Sequence, residues 1–459
     1  MSISVKSYTQ SLTDYIQRTS FDDLPAAVVR QAKAVLLDTI GCMLAATAPD
    51  YRASALITDW IRTTGGSPDA TIMGMPDRSS TTHAALANGT LANNIELDDS
   101  HPLSGAHVAT VVVPAALAVA EHKRQSGRNL LLALAIGYDV DVRLVLAMNP
   151  SSLYQRGFHP SAVCGGFGAA AAAGKLMGLS SVQLTHALSL AGSLASGLMA
   201  WETDPTQMPK SLQMGIAASN GVMAASLAAV GFCGPADIIG GRYGVVTAFS
   251  DAPDWHWLTH EWGTRFEICH TGLKKYACCR FLHAALDAFL AVRQKHNLAL
   301  PDIQEITMRL PAAGAPIVDR NELLSHNAQY VLAVAARDGN IMPHHIYSDQ
   351  RSDPLIGGLM DHVFVVADDE LTDVSEGRFS EPAIVRVTLR DGQTWAERSD
   401  YASGDPEKPL SERELLAKFY ELATPIIPIA QADRIVELIQ TMDALPTVTV
   451  LTDCLSGRR

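Results

Sequence analysis

The sequence predicts a mainly α fold in which a large all-helical domain, built from two segments of the chain, carries a smaller inserted α+β lid domain. Apolar residues recur every three to four positions through roughly the first 230 residues, alternate with polar residues only after about residue 300, and regain helical spacing near residue 410. We therefore expect a first helical segment at 1–267, the α+β lid domain at 268–402 and C-terminal helices at 403–459 that rejoin the first segment.

The helices of the first segment follow from apolar periodicity and from their boundaries. Residues 24–46 place an apolar side chain at every fourth position from Val28 to Leu44, and Asp22 and Asp23 precede them as possible caps. The same spacing predicts helices at 80–95, 107–125, 128–147, 160–178, 181–199 and 207–231, and near the C-terminus at 410–422 and 430–442.

From about residue 300, apolar side chains recur at every second position. Residues 306–310 and 385–389 each alternate apolar with polar side chains, which is typical of strands with one buried face. Asp391 and Gly392 follow the second run, and both tolerate the positive φ of a type I′ turn. The sequence therefore predicts a hairpin whose second strand covers 394–398.

Composition and charge restrict the possible partners. The chain has 459 residues, of which 47% are hydrophobic, and its net charge of −13 argues against nucleic acid or an anionic membrane as a partner, since both favour a basic face. No uninterrupted apolar stretch reaches the length of about 18 residues that suggests a membrane span. Residues 1–18 lack the apolar core of a signal peptide, and seven cysteines without paired spacing fit a reducing compartment, so we expect a cytoplasmic protein.

The densest polar cluster combines three carboxylates, a hydroxyl and two imidazoles. Its members are Glu96, Asp98, Asp99, Ser100, His101 and His107. A carboxylate can fix the tautomer of a histidine and raise its basicity, so the cluster predicts an acid/base site. A loop whose Ser or Asp caps the next helix explains the residues about as well, and a hard-cation site is a third interpretation. Because no HExxH or EF-hand spacing is present, we expect no metal.

Two further residues stand at predicted helix starts. His159 precedes a helix that begins near Ser161, where an anion would meet free backbone N–H groups. Lys210 lies near the start of another apolar helix, where the helix dipole disfavours a cation unless an acidic partner or an anion compensates. Each could alone be an ordinary structural histidine or a solvated lysine. The glycines at 165–174 superficially match a nucleotide fingerprint, but no strand precedes them, so they predict helix packing.

A cationic segment at 274–283 forms the third cluster. Arg280 is a natural bidentate partner of a carboxylate, and Lys274 or Lys275 could act as a point charge or a proton donor. Cys278 and Cys279 lack a second pair at zinc spacing, and no base is evident that would activate either thiol. The segment therefore predicts anion binding.

Taken together, these segments resemble the MmgE/PrpD family, whose activities include 2-methylcitrate dehydration, cis-aconitate decarboxylation and iminodisuccinate epimerisation. The resemblance covers most of the chain and rests on segments that occur in order. These segments are 36–41, 96–100 with His107, 114–118, 157–160 with 165–178, 209–218, 275–283 and 330–339.

The resemblance implies a fold, a site and an assembly. It implies a helical domain with an α+β lid, an active site between them, a homodimer, and chemistry that needs no nucleotide, flavin, metal or other cofactor. Carried over by position, the site residues are Glu96 or Asp98, Ser100, His107, His159, Lys210, Lys274, Cys279 and Tyr330.

The implied reaction removes a proton, or CO2, at a carbon beside a carboxylate of a small anionic carboxylic acid. We expect cations to hold the substrate carboxylates, an imidazole to act as base or acid, and a donor to face the other side of the substrate. The assigned cations are Lys210, Lys274 and Arg280, the leading acid/base is His159, the opposite donor is Tyr330 or His107, and Asp98 or Asp99 orients an imidazole.

We predict a lyase, first of all a dehydratase of a di- or tricarboxylic acid, with an epimerase of a dicarboxylate as the alternative. Cys279 stands where the decarboxylase branch has a histidine, and Arg280 indicates a different carboxylate clamp, so decarboxylation is less favoured. A non-catalytic binding protein on the same fold would lack the His and Lys positions, which are present here.

Overall fold

The computed structural model describes residues 7–204, 206–312, 314–371 and 381–457 and confirms the mainly α fold. Its α-helices are α1 (Tyr8–Arg18), α2 (Ala26–Ala45), α3 (Arg52–Thr64), α4 (Thr81–Asn93), α5 (Ala109–His122), α6 (Gly127–Ala147), α7 (Pro150–Gln155), α8 (Pro160–Leu176), α9 (Ser181–Ser193), α10 (Met208–Ala229), α11 (Val245–Phe249), α12 (His283–His296), α13 (Ala315–Val318), α14 (Ala328–Asp338), α15 (Pro343–Tyr347), α16 (Pro354–Met360), α17 (Glu412–Ala423), α18 (Ile429–Gln440) and α19 (Thr449–Leu455). Its strands are β1 (Ala70–Thr71), β2 (Arg78–Ser79), β3 (Asp99–Ser100), β4 (Gly272–Leu273), β5 (Ile303–Pro311), β6 (Val363–Asp368), β7 (Ala383–Leu389) and β8 (Thr394–Ser399).

The centre of the helical part is formed by α4, α5, α6, α8 and α10. α10 packs against α4 and α8, α6 packs against α8, and α5 contacts all four of the other helices. α5 is apolar on every side, and its residues from Ala109 to Glu121 are all buried. A helix without a polar face must be enclosed by its neighbours, so the Ala- and Val-rich sequence of α5 explains its central position. No helix among the described residues has the length and apolar character needed to cross a membrane.

The three predicted strands and one further strand form a four-stranded sheet in the order β6, β5, β7, β8. β5 pairs antiparallel with β7, with Met308 opposite Val385, and β7 pairs antiparallel with β8. α12 packs on β7 and β8, and α14 lies near β6. The sequence did not predict β6, an edge strand parallel to β5, because residues 363–366 are apolar without alternation.

The predicted hairpin joins β7 and β8, but its turn is longer than the expected type I′ turn. Gly392 has a φ of 87° and donates its N–H to the Leu389 carbonyl, whereas Asp391 keeps a negative φ and its carboxylate accepts from Gln393 N–H. A left-handed Gly at the end of the turn is typical of hairpin loops longer than two residues.

The C-terminal helices return to the first segment of the chain. α17 and α18 pack against α2, and α19 contacts α5. The contact between α17 and α2 is close at Gly41, where a Cβ would lie 3.2 Å from the Phe419 ring. The boundaries at 267/268 and 402/403, and the assignment of 268–402 as a lid, stay predictions.

One predicted helix is shorter than its periodicity suggests. The helix expected over 181–199 ends at Ser193, because the following residues turn back toward α8. There Leu198 forms a bridge with Phe158, and the Gly197 carbonyl accepts from His159 N–H. This return segment carries Trp201 to the N-terminus of α8.

The crossing of α10 and α8 requires a glycine at position 221. A Cβ on Gly221 would lie 2.3 Å from the Ala169 Cβ and 2.7 Å from the Gly166 carbonyl oxygen. We expect Gly221→Ala to lower the free energy of unfolding by about 1–3 kcal/mol, because the added methyl group forces the helices apart. Urea unfolding measures the effect.

Gly166→Ala is the matched control for this substitution. It is also a buried helical glycine, but its added Cβ would meet its nearest atom at 3.7 Å, an ordinary contact. We expect this variant to be as stable as the parent or more stable by about 0.5–1 kcal/mol, because Ala loses less backbone entropy on folding. Equal stabilities of the two variants would contradict the packing argument.

Candidate active site

A cavity of about 520 Å³ gathers most of the residues that the sequence singles out. It lies at the N-termini of α8 and α10, beside the β3–β4 ladder. The predicted site residues that line it are Glu96, Ser100, His107, His159, Lys210, Lys274, Cys279 and Arg280. A larger cavity of about 690 Å³ between α2, α17 and α18 has mainly apolar walls and none of these residues, so the smaller cavity is the candidate site.

The β3–β4 ladder sorts the residues of the first polar cluster onto two faces. In this antiparallel pair Asp99 is opposite Leu273 and Ser100 is opposite Gly272, and continuing the register by one residue brings Asp98 opposite Lys274. Side chains of successive strand residues point to opposite faces. Asp98 and Ser100 therefore share one face with Lys274, and Asp99 points to the other.

Asp99 stabilises the start of α5 instead of lining the cavity. Its carboxylate accepts from Ala109 N–H at 2.9 Å, from the Tyr138 hydroxyl at 2.6 Å and from the Thr271 hydroxyl at 3.0 Å. Burial raises the pKa of Asp99 to about 7, although the Tyr138 bond opposes the shift. The helix-capping interpretation of the cluster thus applies to Asp99, and the structure does not bring this residue to the cavity.

Glu96 lies between two buried lysines. Lys210 donates to one oxygen of its carboxylate, and Lys274 lies 3.2 Å from the other. Burial alone would raise the pKa of Glu96, but the two ammonium groups outweigh it and hold the pKa well below its ordinary value. Glu96 is the acidic partner that a lysine near the N-terminus of α10 requires.

His107 and Asp98 form a hydrogen-bonded dyad at the edge of the cavity. The Nδ1 atom of His107 lies 2.8 Å from the Asp98 carboxylate and 2.8 Å from the Asp99 carbonyl oxygen. Both neighbours only accept hydrogen bonds, so Nδ1 carries the proton and Nε2 is left for other partners. Burial would raise the pKa of Asp98, but Lys274 and His107 lower it to about 2.

His159 occupies the N-cap of α8. Its neighbours are an amide and positive charges, whereas His107 is bonded to a carboxylate. Its Nδ1 lies 3.3 Å from Gln213 Oε1, and the amide nitrogen of Gln213 donates to the Leu198 carbonyl, which fixes the orientation of the amide. His159 therefore carries its proton on Nδ1 and has a lone pair on Nε2. Burial, together with the charges of His107 and Lys210, lowers the pKa of His159 to about 3, so the ring is neutral at pH 7. The ring centroids of His107 and His159 are 6.2 Å apart.

Trp201 and His326 line the cavity although the sequence did not indicate them. The Trp201 ring lies 5.3 Å from the His159 ring and 6.2 Å from the His326 ring, with the Lys210 ammonium 5.0 Å from its centroid. The buried indole N–H of Trp201 has no hydrogen-bond partner among the described residues. Burial and the Lys210 charge lower the pKa of His326 to about 3. His326 precedes a helix, as His159 does, and that position was its only signal in the sequence.

Besides Asp98 and Asp99, three predicted site residues do not line the cavity. His101 has its Nε2 3.6 Å from the Glu267 carboxylate. Lys275 is half-buried, with its ammonium 5.5 Å from the centre of a neighbouring aromatic ring. The Tyr330 hydroxyl donates to the His345 carbonyl at 2.6 Å. Each polar group is therefore directed to a neighbour within the protein.

Arg280 and Cys279 line the cavity, and the sequence could not specify the ion pairs of the first or the protonation of the second. The Arg280 guanidinium pairs with Glu381 at 3.1 Å and with Asp405, so protein carboxylates balance its charge. Burial raises the pKa of Glu381 to about 7, although Arg280 opposes the shift. Burial also raises the pKa of Cys279 to about 12, which makes this residue a neutral thiol at pH 7.

The carboxylates of Glu96 and Asp98 are occupied by protein cations. Glu96 binds two lysines, and Asp98 binds His107 and lies 3.6 Å from Lys274. Within the described ranges, no group of three or more His, Cys, Asp or Glu side chains is arranged to hold a metal ion.

Replacing Glu96 by Gln should destabilise the protein, because two buried ammonium groups lose their shared counter-charge. We expect a loss of about 3–5 kcal/mol in the free energy of unfolding at pH 7. The pKa of Glu96 is lowered in the folded state, so its contribution is complete above its ordinary pKa of 4.5 and is lost as the pH falls toward the lowered value.

Urea unfolding of both proteins at pH 7 and below pH 4.5 tests this prediction. The stability difference between parent and Glu96→Gln should narrow at the lower pH. Glu202→Gln is the control, because Glu202 is a half-buried carboxylate that lines the same cavity. A Glu96→Gln variant no less stable than Glu202→Gln would contradict the assigned ion pairs.

Comparison with known proteins identifies the family of this chain. The MmgE/PrpD N-terminal domain matches residues 10–258, and the MmgE/PrpD C-terminal domain matches residues 276–444. The chain is similar to the cis-aconitate decarboxylases of Mus musculus, with 29% identity over 99% of this chain and 94% of the relative, and of Homo sapiens, with 28% identity over 99% and 95%. It is also similar to a cis-aconitate decarboxylase of Aspergillus terreus, with 26% identity over 98% of this chain and 96% of the relative. The chain therefore belongs to the MmgE/PrpD family.

Proposed function

We propose that the protein is a cofactor-independent lyase that acts on a small di- or tricarboxylic acid by removing a proton beside a carboxylate, and that it is a dehydratase. The observation that carries this proposal is the pair of imidazoles in one cavity. His159 has no carboxylate partner among the described residues, whereas His107 is bound to Asp98. Two titratable groups whose surroundings differ in this way are suited to opposite proton transfers.

His159 is the proposed base. It is neutral at pH 7, the Gln213 contact puts its proton on Nδ1, and its Nε2 lone pair is available. In the proposed reaction this nitrogen takes the proton from the carbon beside a substrate carboxylate.

His107 is the proposed acid. The Asp98 carboxylate balances a positive charge on its ring and holds its Nδ1, so Nε2 can deliver a proton to the departing hydroxyl group. The C–H and C–O bonds break, a C=C bond forms and water leaves. His159 gains the proton from carbon and later releases it to solvent, whereas His107 gives its proton to the leaving water and regains one from solvent.

Charge that develops on the substrate carboxylate needs donors. Among the described residues the Lys210 ammonium donates one hydrogen bond, to Glu96, so its other N–H groups are available to an anion. Trp201 lies beside Lys210 and contributes the buried indole N–H that lacks a partner there. Donors fixed in a desolvated cavity stabilise such charge strongly.

Two other reactions use the same residues. Decarboxylation is favoured by the names of the relatives, which are cis-aconitate decarboxylases. Epimerisation of a dicarboxylate would need His159 and one proton donor on the opposite face of the substrate. His107 and the buried His326 line the cavity and are the candidates for that donor. A neutral base suits proton removal, and the His107–Asp98 dyad supplies the acid that a departing hydroxyl group needs, so we place dehydration first.

A homodimer and a cytoplasmic location are further parts of the proposal. Leu212, Ile216 and Val230 are exposed apolar side chains on one side of α10 and its C-terminal end, which supports a contact with a second copy. The seven cysteines are free thiols, which supports a reducing compartment.

Proton NMR in D2O distinguishes the three reactions. We expect new vinyl signals when the protein is incubated with a hydroxylated substrate such as citrate, 2-methylcitrate or malate, because dehydration forms a C=C bond. A shortened carbon skeleton from cis-aconitate would instead identify a decarboxylase, and deuterium uptake with an unchanged skeleton, with iminodisuccinate included, an epimerase. No change with any acid would overturn the substrate class.

His159→Asn tests the proposed base. We expect kcat with the identified acid to fall by roughly 10²–10⁴-fold, because this is the usual contribution of a positioned base. The control is His83→Asn, in the first turn of α4, whose ring lies beside Trp60. Turnover by His159→Asn close to that of His83→Asn would remove His159 from the mechanism.

A further inference from the structure

Lys418 places a buried ammonium group behind the candidate site. It lies on α17, and its Nζ atom is 2.6 Å from the Asp38 carboxylate, 2.7 Å from the Lys274 carbonyl oxygen and 2.8 Å from the Leu97 carbonyl oxygen. The ammonium group donates hydrogen bonds to the two carbonyls and forms an ion pair with the Asp38 carboxylate. Lys418 is 9% exposed and Asp38 is 2% exposed, so all these bonds are shielded from water.

The three acceptors belong to three different parts of the chain. Leu97 lies between Glu96 and Asp98, the two carboxylates of the site. Lys274 contributes its carbonyl to Lys418 and its ammonium to Glu96. Asp38 lies on α2, against which α17 packs. The Lys418 ammonium therefore joins α17 to two of the segments that supply the buried ion pairs.

The charge of Lys418 is matched within this group. Burial raises the pKa of Asp38, and the Lys418 ammonium opposes that shift. Without Lys418 the Lys274 carbonyl would lose this donor, the Leu97 carbonyl would keep only the weak Cys42 thiol donor, and Asp38 would lose its ion-pair partner. Such losses in a buried group are costly enough to move the chain. The first segments to move would be those that carry Leu97 and Lys274.

We propose that Lys418, with Asp38, is a positioning residue that holds the Glu96–Asp98 segment and Lys274 in register. Through this residue, α17 sets the geometry of the acid/base cluster. Its effect on turnover rests on the proposed function, whereas its effect on local structure does not. A displacement of about 1 Å in such a cluster can cost roughly 10²-fold in rate.

Hydrogen exchange of the full-length protein tests the structural part. We expect Lys418→Met to make amide exchange in peptides covering 94–108 and 271–280 roughly tenfold faster or more, because local opening there becomes easier. Lys175→Met is the matched control. Lys175 also donates to two backbone carbonyls, of Ile16 and Gln17, and joins α8 to α1 away from the site. It should change exchange near those residues only.

Asp38→Asn is the milder second variant. It keeps the shape of the side chain and an oxygen acceptor but removes the charge that balances Lys418. We expect a smaller increase in exchange over the same two peptides, and this variant serves as the test if Lys418→Met does not fold. Exchange at 94–108 and 271–280 that equals the parent in the folded variants would overturn the positioning role.

Kinetics test the consequence for the site. With the acid identified for the parent, kcat of Lys418→Met should fall by roughly 10²-fold, and that of Lys175→Met should not change. The titratable groups that interact with Asp98 are Lys274, His107, Glu96, Asp38, Asp99 and Cys42. Displacing Lys274 removes a charge that lowers the pKa of Asp98. The acid limb of the pH profile of kcat/KM should therefore move to higher pH in Lys418→Met and stay in place in Lys175→Met. Faster exchange without turnover of any acid by the parent would support the positioning role and overturn the proposed function.

Discussion

The buried carboxylate of Glu96, held between Lys210 and Lys274, is the interaction on which the candidate site depends. It joins positions separated by 114 and 178 residues in the chain, one at the start of α10 and one just after β4. Removing each ion from water costs several kcal/mol, so the three groups are retained only because each meets an opposite charge. Glu96 also adopts a φ of 54°, a left-handed conformation that costs about 1–3 kcal/mol in a residue other than Gly. The ion pairs hold this strained turn in place.

The two imidazoles beside this ion pair have different partners. His159 is enclosed without a carboxylate partner and faces the positive charge of Lys210, so it is neutral. His107 is bonded to Asp98, whose negative charge is itself secured by Lys274. The two rings thus differ in the charge of their partners. Since Lys274 serves both Glu96 and Asp98, the ion pair and the dyad form one connected network.

Periodic features were predictable from the sequence, and features that depend on register or distant contacts were not. α2, α4, α6 and α8 follow from apolar spacing because packing on one core imposes that spacing. The polar cluster at Glu96 was recognisable, but only the pairing of β3 with β4 separates Asp98 from Asp99. Tyr330 belongs to a recognisable segment, yet its hydroxyl is bonded to a carbonyl of α15. Trp201 reaches the site because the chain leaves α9 early and returns to α8, a path that no local pattern encodes.

The balance of charge in the cavity determines which cation can serve a substrate. Arg280 is neutralised by Glu381 and Asp405, and the Lys274 ammonium is directed to Glu96 and Asp98. Moving either cation toward a ligand would leave protein carboxylates buried without a partner. The free energy lost in this way is larger than the free energy that an exposed ion pair contributes. Lys210 donates only to Glu96 among the described residues and lies against the Trp201 ring, whose N–H also lacks a partner there. For the proposed lyase, a substrate carboxylate is therefore best accommodated at Lys210 and Trp201, next to the neutral His159, while Lys274 and Arg280 maintain the walls of the cavity.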